Sequence, residues 1–445
     1  MAGIKSLPYI GIMSALLKNP LKTFIEAAKE GDIVRLKIPG IKLFLIHNPE
    51  HIKHVFANDT VYVKGGQVKP FKKLFGTSVL TTEGDAWKRH RKIVQPAFHH
   101  QKLPHFARIF RDETLHMLDR WDTLPASQAE IDCVKEMKYL TQSIIVKTLF
   151  GTDLEQVKDK NIDQALDDVF NSLTRMIWSG GMPDVVQRMT GGKARADAFN
   201  HGLRVLHEVI ATLIKVKRGR DSDQPDLLDM LLGTRFDDGS GLTEEQIRDE
   251  VITFFVAGHE TTSVALSWAW IALARNPAIR AKLYAELDQI DHPLAFEDLP
   301  NLTYTRCIFY EALRTSPPAW FIPRTAKTSD VIAGTVIPSG SIMIASPYLA
   351  HRHPAFWTDP DTFEPERFRD NLRSPAHFYP FGYGGRQCIA KEFALMEGPL
   401  ILGNVAKRYQ LDLKYPYEPI EPNPGMTLTP KLPRHQGIPM LLRRR

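Results

Sequence analysis

Cysteine is scarce in this sequence: Cys133, Cys307 and Cys388 are the only three among 445 residues. They are far apart and odd in number, so neither a disulfide framework nor a paired CxxC zinc site can be built from them. Disulfide-stabilised secreted domains are thereby excluded, and we expect a cytoplasmic protein.

Linkers, repeats and leader segments are also missing. No Gly/Ser linker, low-complexity segment or internal repeat divides the chain, and 43% of its residues are hydrophobic, which is enough for a large core. The apolar stretch from Ile10 to Leu17 is too short for a signal peptide. We therefore expect one domain over residues 1–445, and a monomer.

Charge of one sign is not in large excess, since 57 basic and 51 acidic residues leave a net charge of +6. Lys88, Arg89 and Lys92 belong to the densest basic cluster, which lacks the interleaved aromatic residues of a nucleic-acid surface. We expect no nucleic-acid partner. The cluster is either an ordinary solvated face or a docking patch for an acidic protein.

The longest apolar stretch, Val251 to Ala274, contains no Lys or Arg and would extend about 36 Å as a helix. His259 and Glu260 stand near its middle, where a bilayer strongly disfavours ionised side chains. It is therefore predicted to be the buried central helix of a large protein, with no membrane span. Thr243-Glu-Glu-Gln246 before it is a candidate capping box.

Hydrophobic periodicity predicts a mainly α fold with a small β part. We expect a β-rich part over about residues 30–80, a helical part over about 85–320, and short strands with the cysteine loop over about 321–445. The predicted strands are 32–38, 42–46, 331–337 and 342–345, and the further predicted helices are 301–314 and 390–406.

The strongest motif is Phe381-Gly-Tyr-Gly-Gly-Arg-Gln-Cys388-Ile-Ala390. Its glycines let the backbone approach a flat, bulky group, and Cys388 stands just before a helix, where amide groups favour a thiolate. Arg386 is suited to bind a carboxylate of that group. The alternatives are a buried structural cysteine and a phosphate-binding loop, and the second lacks the G-x-G-x-x-G spacing.

This loop resembles the haem-binding signature of the cytochrome P-450 family, Phe-x-x-Gly-x-Arg-x-Cys-x-Gly, with Ala390 in place of the last glycine. The resemblance implies the P-450 fold, a single large domain with a buried haem b. It makes Cys388 the ligand of the haem iron, and it sets Phe381 and Gly382 against the haem.

Glu311-Ala-Leu-Arg314 is a second motif, which alone would be an ordinary ion pair on one helix face. In the P-450 family, Glu-x-x-Arg forms a buried triad with a later arginine, and Arg367 in Pro365-Glu-Arg-Phe matches it. The implied role of the triad is structural, because it positions the cysteine loop.

Ala257-Gly-His-Glu260-Thr261 is a third motif, within the long apolar stretch. The hydroxyl of Thr261 is expected to bond back to the carbonyl of Ala257, which opens the helix locally and leaves room for dioxygen beside the haem. The resemblance implies that Thr261 and Glu260 deliver protons to the oxygen. The alternative is that Thr261 is only a helix residue.

Trp87 and Arg91 are spaced i,i+4, so they project from one helix face and alone would form a surface pair. The resemblance makes them donors for the haem carboxylates. Arg324 and Arg386 complete this set of four donors.

Paired histidines raise the question of a further metal site. The pairs His99/His100 and His351/His353 have no carboxylate or cysteine at ligand spacing. We expect surface or capping roles for them.

A lipophilic substrate is expected, because the residues that we assign to the pocket are apolar. A long-chain fatty acid, a terpenoid and a steroid remain open. The expected pocket residues are Leu80, Val256, Ala319, Trp320 and Phe321.

The resemblance implies a monooxygenase that inserts one atom of O2 into a C–H bond, by hydroxylation or epoxidation. NAD(P)H would supply electrons indirectly, through a reductase and a ferredoxin or flavodoxin-type donor, since no reductase domain follows Arg445. The alternatives are a peroxide-driven hydroxylase or isomerase on the same fold, and a non-catalytic haem-thiolate sensor. The pair of Glu260 and Thr261 counts against all of these.

The N-terminus carries one more resemblance. Leu7-Pro-Tyr-Ile-Gly11 is similar to the proline hinge that follows the membrane anchor in eukaryotic members of the family. Because only a few residues precede it, no anchor is expected in the chain as given: either the protein is naturally soluble or an anchor has been trimmed.

Overall fold

A computed structural model describes residues 11–38, 40–125, 129–157, 161–179, 192–218, 226–236, 238–370 and 377–445. The N-terminal segment 7–10, expected to form a proline hinge, lies outside the described residues. The described chain is mainly α-helical with a minor β part, as the sequence predicts.

The helices occur along the whole chain, and the strands occur mainly near its two ends. The α-helices are α1 (Gly11–Lys18), α2 (Pro20–Ala28), α3 (Pro49–Ala57), α4 (Val68–Phe75), α5 (Gly84–Val94), α6 (Leu103–Asp122), α7 (Cys133–Phe150), α8 (Ile162–Ser179), α9 (Gly192–Arg218), α10 (Leu227–Gly233), α11 (Glu244–Arg275), α12 (Pro277–Leu287), α13 (Thr303–Thr315), α14 (Pro347–Ala350) and α15 (Lys391–Arg408). The strands are β1 (Ile33–Ile38), β2 (Ile41–Ile46), β3 (Tyr62–Val63), β4 (Glu130–Asp132), β5 (Ile322–Ala326), β6 (Asp330–Ile332), β7 (Thr335–Ile337), β8 (Ile342–Ala345), β9 (Tyr409–Leu413), β10 (Glu421–Pro424), β11 (Leu428–Lys431) and β12 (Pro439–Arg444).

The largest sheet joins the two ends of the chain. Its strand order is β1-β2-β8-β5-β3, in which β2 and β8 run parallel and the other pairs are antiparallel. A second sheet has the order β4-β12-β9, so a three-residue strand within the predicted helical part pairs with the C-terminal strand. The hairpins β6–β7 and β10–β11 form the remaining pairs of the described chain.

Helix α11 is the central element, and it is buried along most of its length. It packs against α7, α13, α9 and α15. The predicted capping box begins it: Thr243 Oγ1 accepts from the amide of Gln246, and Gln246 Oε1 accepts from the amide of Thr243. Among the described residues no helix, α11 included, is both long enough and apolar enough to cross a membrane.

Candidate active site

A cavity of about 400 Å³ lies between α11, the start of α15 and the loop before α15. Its wall includes both the sulfur-bearing Cys388 and the hydroxyl-bearing Thr261. The structure also brings the other seven predicted haem-contacting residues to this wall. These are Trp87, Arg91, Ala257, Arg324, Phe381, Gly382 and Arg386.

Backbone bonds hold Cys388 at the end of its loop. Its amide donates to the carbonyl of Phe381 at 2.9 Å, which closes the loop directly before α15. Burial raises the pKa of the Cys388 thiol, whereas the amide of Ala390 and the charge of Arg91 act in the opposite direction. A coordinated metal ion deprotonates a thiol outright, so this position suits a thiolate ligand.

The loop needs glycine at Gly384 but not at Ala390. Gly384 has φ +72°, and a Cβ there would overlap with the carbonyl oxygen of Phe56. Ala390 has φ −91° and ψ 20°, and this negative φ does not require glycine. The departure from the family signature is therefore compatible with the loop conformation.

Four cations line the wall, one more than the three predicted arginines. Each is held by a backbone carbonyl: Lys64 by Leu80, Arg91 by Gln387 at 3.0 Å, Arg324 by Pro323 at 2.9 Å and Arg386 by Thr82 at 2.9 Å. Within the described residues, none of the four forms an ion pair with a carboxylate. The guanidinium of Arg386 also lies over the indole of Trp87, 3.9 Å from the ring centroid.

The positive charge of these residues is poorly compensated. Burial, and next the charge of Arg386, lower the pKa of Arg324 to about 10. Burial, and next the charges of Arg386 and Arg324, lower the pKa of Lys64 to about 7. Sequence reasoning missed Lys64, because nothing local marks a lysine after the two-residue strand β3. An anionic ligand would relieve this repulsion.

The residues present fit a haem group. The wall offers one thiol as an iron ligand, cations without an ion pair for two carboxylates, and an otherwise mostly apolar surface for the flat ring. The glycine-rich loop lets the backbone approach closely.

Helix α11 presents one face to the cavity. Thr253, Ala257 and Thr261 recur every four residues on it and all line the wall. Thr261 Oγ1 donates to the carbonyl of Ala257 at 2.9 Å, as predicted. Val256 and Glu260 are also four residues apart, but they share a different face and are not in the wall. The periodicity that reveals this was available in the sequence.

Glu260 is buried behind that face. Its Oε1 accepts from the hydroxyl of Thr427 at 2.9 Å, and its Oε2 lies 3.7 Å from Nζ of Lys138. Lys138 lies 3.5 Å from Asp167, which is 55% exposed. Glu260 of α11 is thus connected to the surface through Lys138 and Asp167.

Only two of the five predicted pocket residues line the cavity, Leu80 and Ala319. Val256 packs in the core. Trp320 is fully buried elsewhere and donates to the carbonyl of Gly425 at 3.0 Å. Phe321 lines a separate cavity of about 250 Å³. Side chains alternate on an extended segment, so Ile322 faces the first cavity when Phe321 faces the other.

The structure brings the predicted triad together, but unequally. Glu311 and Arg314 are both fully buried and form two parallel bonds, of 2.6 and 2.7 Å. Arg367 approaches Glu311 only to 3.6 Å and donates instead to the carbonyl of Asp359 at 2.9 Å. Arg314 also donates to three backbone carbonyls that precede Arg367.

His99 and His100 are exposed, as expected, whereas His351 and His353 are buried. His351 is the C-cap residue of α14, which agrees with the expected capping role. His351 is fully buried and accepts from the amide of Tyr379 at 2.9 Å. His353 is buried near Asp32 and His47. The amide of Ala355 donates to Nδ1 of His353, so its Nε2 carries the proton and donates to Asp32 at 3.1 Å. Hydrogen bonding therefore explains this cluster without a metal.

The basic cluster lies on α5, the helix that carries Trp87 and Arg91. Lys88 is 71% exposed and lies 3.2 Å from Asp85. Arg89 pairs with Asp238 at 3.1 Å and covers the ring of Phe236. His90 is buried on the inner side of α5 but does not line the cavity, and the sequence did not indicate its burial.

Comparison with known proteins agrees with this geometry. Residues 1–436 match the family described as Cytochrome P450. Cyclooctatin synthase of Streptomyces melanosporofaciens is 32% identical over 431 residues, which cover 95% of this chain and 92% of that protein. Cyclooctat-9-en-7-ol 5-monooxygenase of the same organism is 30% identical over 436 residues, 95% of this chain and 90% of that protein. Pentalenene oxygenase of Streptomyces avermitilis is 30% identical over 416 residues, 92% of this chain and 90% of that protein. The chain therefore belongs to the cytochrome P450 family of monooxygenases.

Proposed function

We propose that this monooxygenase oxidises a cyclic terpenoid, with electrons from a separate ferredoxin or flavodoxin-type protein. The observation that carries the proposal is the shared cavity: the thiol of Cys388 and the hydroxyl of Thr261 reach one apolar space. Such a space binds a lipophilic molecule and excludes water from the reaction.

The charges in the wall favour a neutral substrate over a fatty acid. A fatty acid would need a cation of its own in the wall. The four cations present are Lys64, Arg91, Arg324 and Arg386, and we assign them to the haem carboxylates. The names of two relatives specify an alkene, pentalenene, and an unsaturated alcohol, cyclooctat-9-en-7-ol. These names support a terpenoid among the three expected substrate classes.

We assign different roles around the haem to different groups of residues. When bound, haem supplies the activation of dioxygen that amino-acid side chains cannot provide. Cys388 would hold the iron as thiolate, and the four cations would orient the carboxylates. Val79, Leu80 and Ala319 contact the substrate and keep water away.

We assign proton supply to Thr261 and Glu260 from two sides of α11. Thr261 offers its hydroxyl inside the cavity, 2.9 Å from the carbonyl of Ala257. Glu260 lies on the far side, where Lys138 and Asp167 connect it to the surface. A proton would move along these groups and reach Thr261 through water.

The thiolate ligand is tested by a spectrum. Reduced protein with carbon monoxide is expected to show the red-shifted Soret band of thiolate ligation, and Cys388→Ser is expected to abolish it. Cys307→Ser is the matched control, because that buried cysteine lies outside the cavity wall. An unchanged band in Cys388→Ser would transfer the ligand role to another residue.

The substrate class is tested by spin-state titration of the wild-type protein. Cyclic terpenoids are expected to shift the haem to high spin at lower concentration than fatty acids or steroids. Tighter binding of a fatty acid would overturn the terpenoid assignment. Turnover with a ferredoxin system, compared with hydrogen peroxide, separates a monooxygenase from a peroxide-driven enzyme.

A further inference from the structure

The loop of residues 76–82 is attached to α11 by two adjacent carboxylates. Asp249 Oδ2 accepts from the amide of Thr77 at 2.7 Å. Glu250 Oε1 accepts from the amide of Val79, also at 2.7 Å. Both carboxylates are buried. Charged acceptors of this kind form strong bonds to backbone amides, so the loop has little freedom to move away from α11.

The loop is shaped to receive the first carboxylate. Gly76 has φ +49°, and a Cβ at this position would overlap with the carboxylate of Asp249. The hydroxyl of Thr81 donates to the carbonyl of Gly76 at 2.6 Å and accepts from the amide of Ser78 at 3.0 Å. The backbone of the loop is thus held by hydrogen bonds to both carboxylates and by the bonds of Thr81 inside the loop.

The second carboxylate also holds α5. His90 Nδ1 lies 2.6 Å from Glu250 Oε1, the same oxygen that accepts from Val79. The side chains are 4% and 0% exposed. Burial raises the pKa of Glu250, and the bonds from His90 and Val79 oppose this rise. One buried oxygen therefore joins α11, α5 and the loop.

The same loop contacts both parts of the active site. The side chains of Val79 and Leu80 line the cavity. The carbonyl of Leu80 accepts from Lys64, and the carbonyl of Thr82 accepts from Arg386 at 2.9 Å. A shift of the loop would therefore change the wall that faces the substrate and loosen two of the cations together.

We propose that Glu250, with His90, is a positioning residue that determines which lipophilic molecules the cavity accepts, because it holds Val79 and Leu80 in the wall. This inference rests on the proposed function only in requiring that haem and a lipophilic substrate share the cavity. Neither side chain lines the cavity, so both act through the loop.

Two azole probes distinguish an effect on the loop from an effect on haem binding. Imidazole binds the iron and is too small to extend far along the wall, whereas 4-phenylimidazole also needs room beside it. Affinities are measured by Soret titration of haem-loaded protein. Glu250→Ala is expected to change the affinity ratio of the two probes by about tenfold, the worth of one buried hydrogen bond, and to leave imidazole binding near wild type.

Conservative and control variants separate positioning from general damage. Glu250→Gln keeps an acceptor for the amide of Val79 and is expected to retain the wild-type ratio within about twofold. Glu245→Ala, at an exposed position of the same helix, is expected to change nothing. If Glu250→Ala fails to fold, His90→Leu carries the test, because it removes one of the two bonds to the carboxylate. It is expected to change the ratio in the same direction by a smaller factor.

The outcomes are distinct. A wild-type ratio in both Glu250→Ala and His90→Leu would overturn the inference, as would an equal loss for both probes. A wild-type protein that takes up no haem would instead contradict the proposed function.

Discussion

The hydroxyl of Thr427 donates to Oε1 of Glu260 at 2.9 Å, which ties the acid of α11 to the turn between β10 and β11. Because of this bond and the nearby Lys138, Glu260 faces away from the cavity that contains Thr261. The two residues of the predicted pair therefore have different surroundings, and they should respond differently to substitution.

Glu260→Gln preserves an acceptor for Thr427 and removes the carboxyl group that can take up and release a proton. If protons arrive through this side chain, product formation should fall by about 10- to 100-fold while substrate binding stays unchanged. Steady-state turnover and spin-state titration measure the two effects. A wild-type rate would reduce Glu260 to a packing role.

Thr261→Ala removes the only hydroxyl predicted to act inside the cavity. Its bond to the carbonyl of Ala257 is local, so haem and substrate binding should remain. Reducing equivalents should be diverted to hydrogen peroxide, because proton delivery fails. The quantity to measure is product per reducing equivalent, and Thr262→Ala, at the adjacent position, is the comparison. Equal coupling in wild type and Thr261→Ala would contradict the role.

The local features of this fold are readable from sequence, and the long-range ones are not. The capping box at Thr243 and the strand at Ile33–Ile38 depend on neighbouring residues, and both are confirmed. β4 forms only because it meets β12, more than three hundred residues later in the chain. A three-residue segment has no periodicity to detect.

The same distinction applies to the active site. The motifs around Cys388 and Thr261 identified residues that the structure brings together. Lys64 had no motif, and its position depends on the pairing of β3 with β5. Trp320 and Phe321 were assigned to the pocket on apolar character alone, which does not reveal the direction of a side chain.

Substitution of Arg314 tests the structural triad better than substitution of Arg367. Arg314→Met would leave the carboxylate of Glu311 buried without its two strongest donors, so we expect a loss of about 3–5 kcal/mol in the free energy of unfolding. Arg367→Met should lower the free energy of unfolding by less, because Arg367 lies 3.6 Å from Glu311, whereas Arg314 lies 2.6 Å from it. Urea unfolding measures both. Equal costs would contradict the unequal geometry.

Glu397 predicts a pH dependence of stability. Burial raises its pKa to about 8, and the bond from Thr262 only partly opposes this. In the unfolded chain a glutamate titrates near about 4.3, so between about pH 5 and about pH 8 the unfolded chain binds fewer protons than the folded one. The contribution of this side chain to stability should fall as pH rises through that window.

Glu397→Gln should remove this fall and leave the variant more stable than wild type above about pH 8. Glu392→Gln, at an exposed position of α15, is the control and should follow the wild type. Unfolding free energies at several pH values decide the question. A difference between wild type and Glu397→Gln that does not vary with pH would show that Glu397 is not the titrating group.

The basic face of α5 predicts how electrons arrive. Trp87 and Arg91 line the cavity, and Lys88 and Lys92 are exposed on the outside of the same helix. An acidic donor protein would be steered to this face, and salt would screen the steering, since the Debye length is about 10 Å at 0.1 M and about 3 Å at 1 M. Arg89 is left unchanged in the test, because its guanidinium also covers the ring of Phe236.

Lys88→Glu with Lys92→Glu should therefore slow first-electron transfer from a ferredoxin and flatten its dependence on salt. Activity supported by hydrogen peroxide should stay near wild type, because the cavity is unchanged. Lys29→Glu with Lys37→Glu, directly after α2 and on β1, makes the same change in charge at exposed positions outside α5, and should leave the transfer rate nearly unaltered. Equal losses in the ferredoxin and peroxide assays would mean that the α5 substitutions damage the haem site, and equal slowing by both charge pairs would reduce the effect to net charge. Only a loss confined to the α5 pair and the ferredoxin assay supports docking on this face.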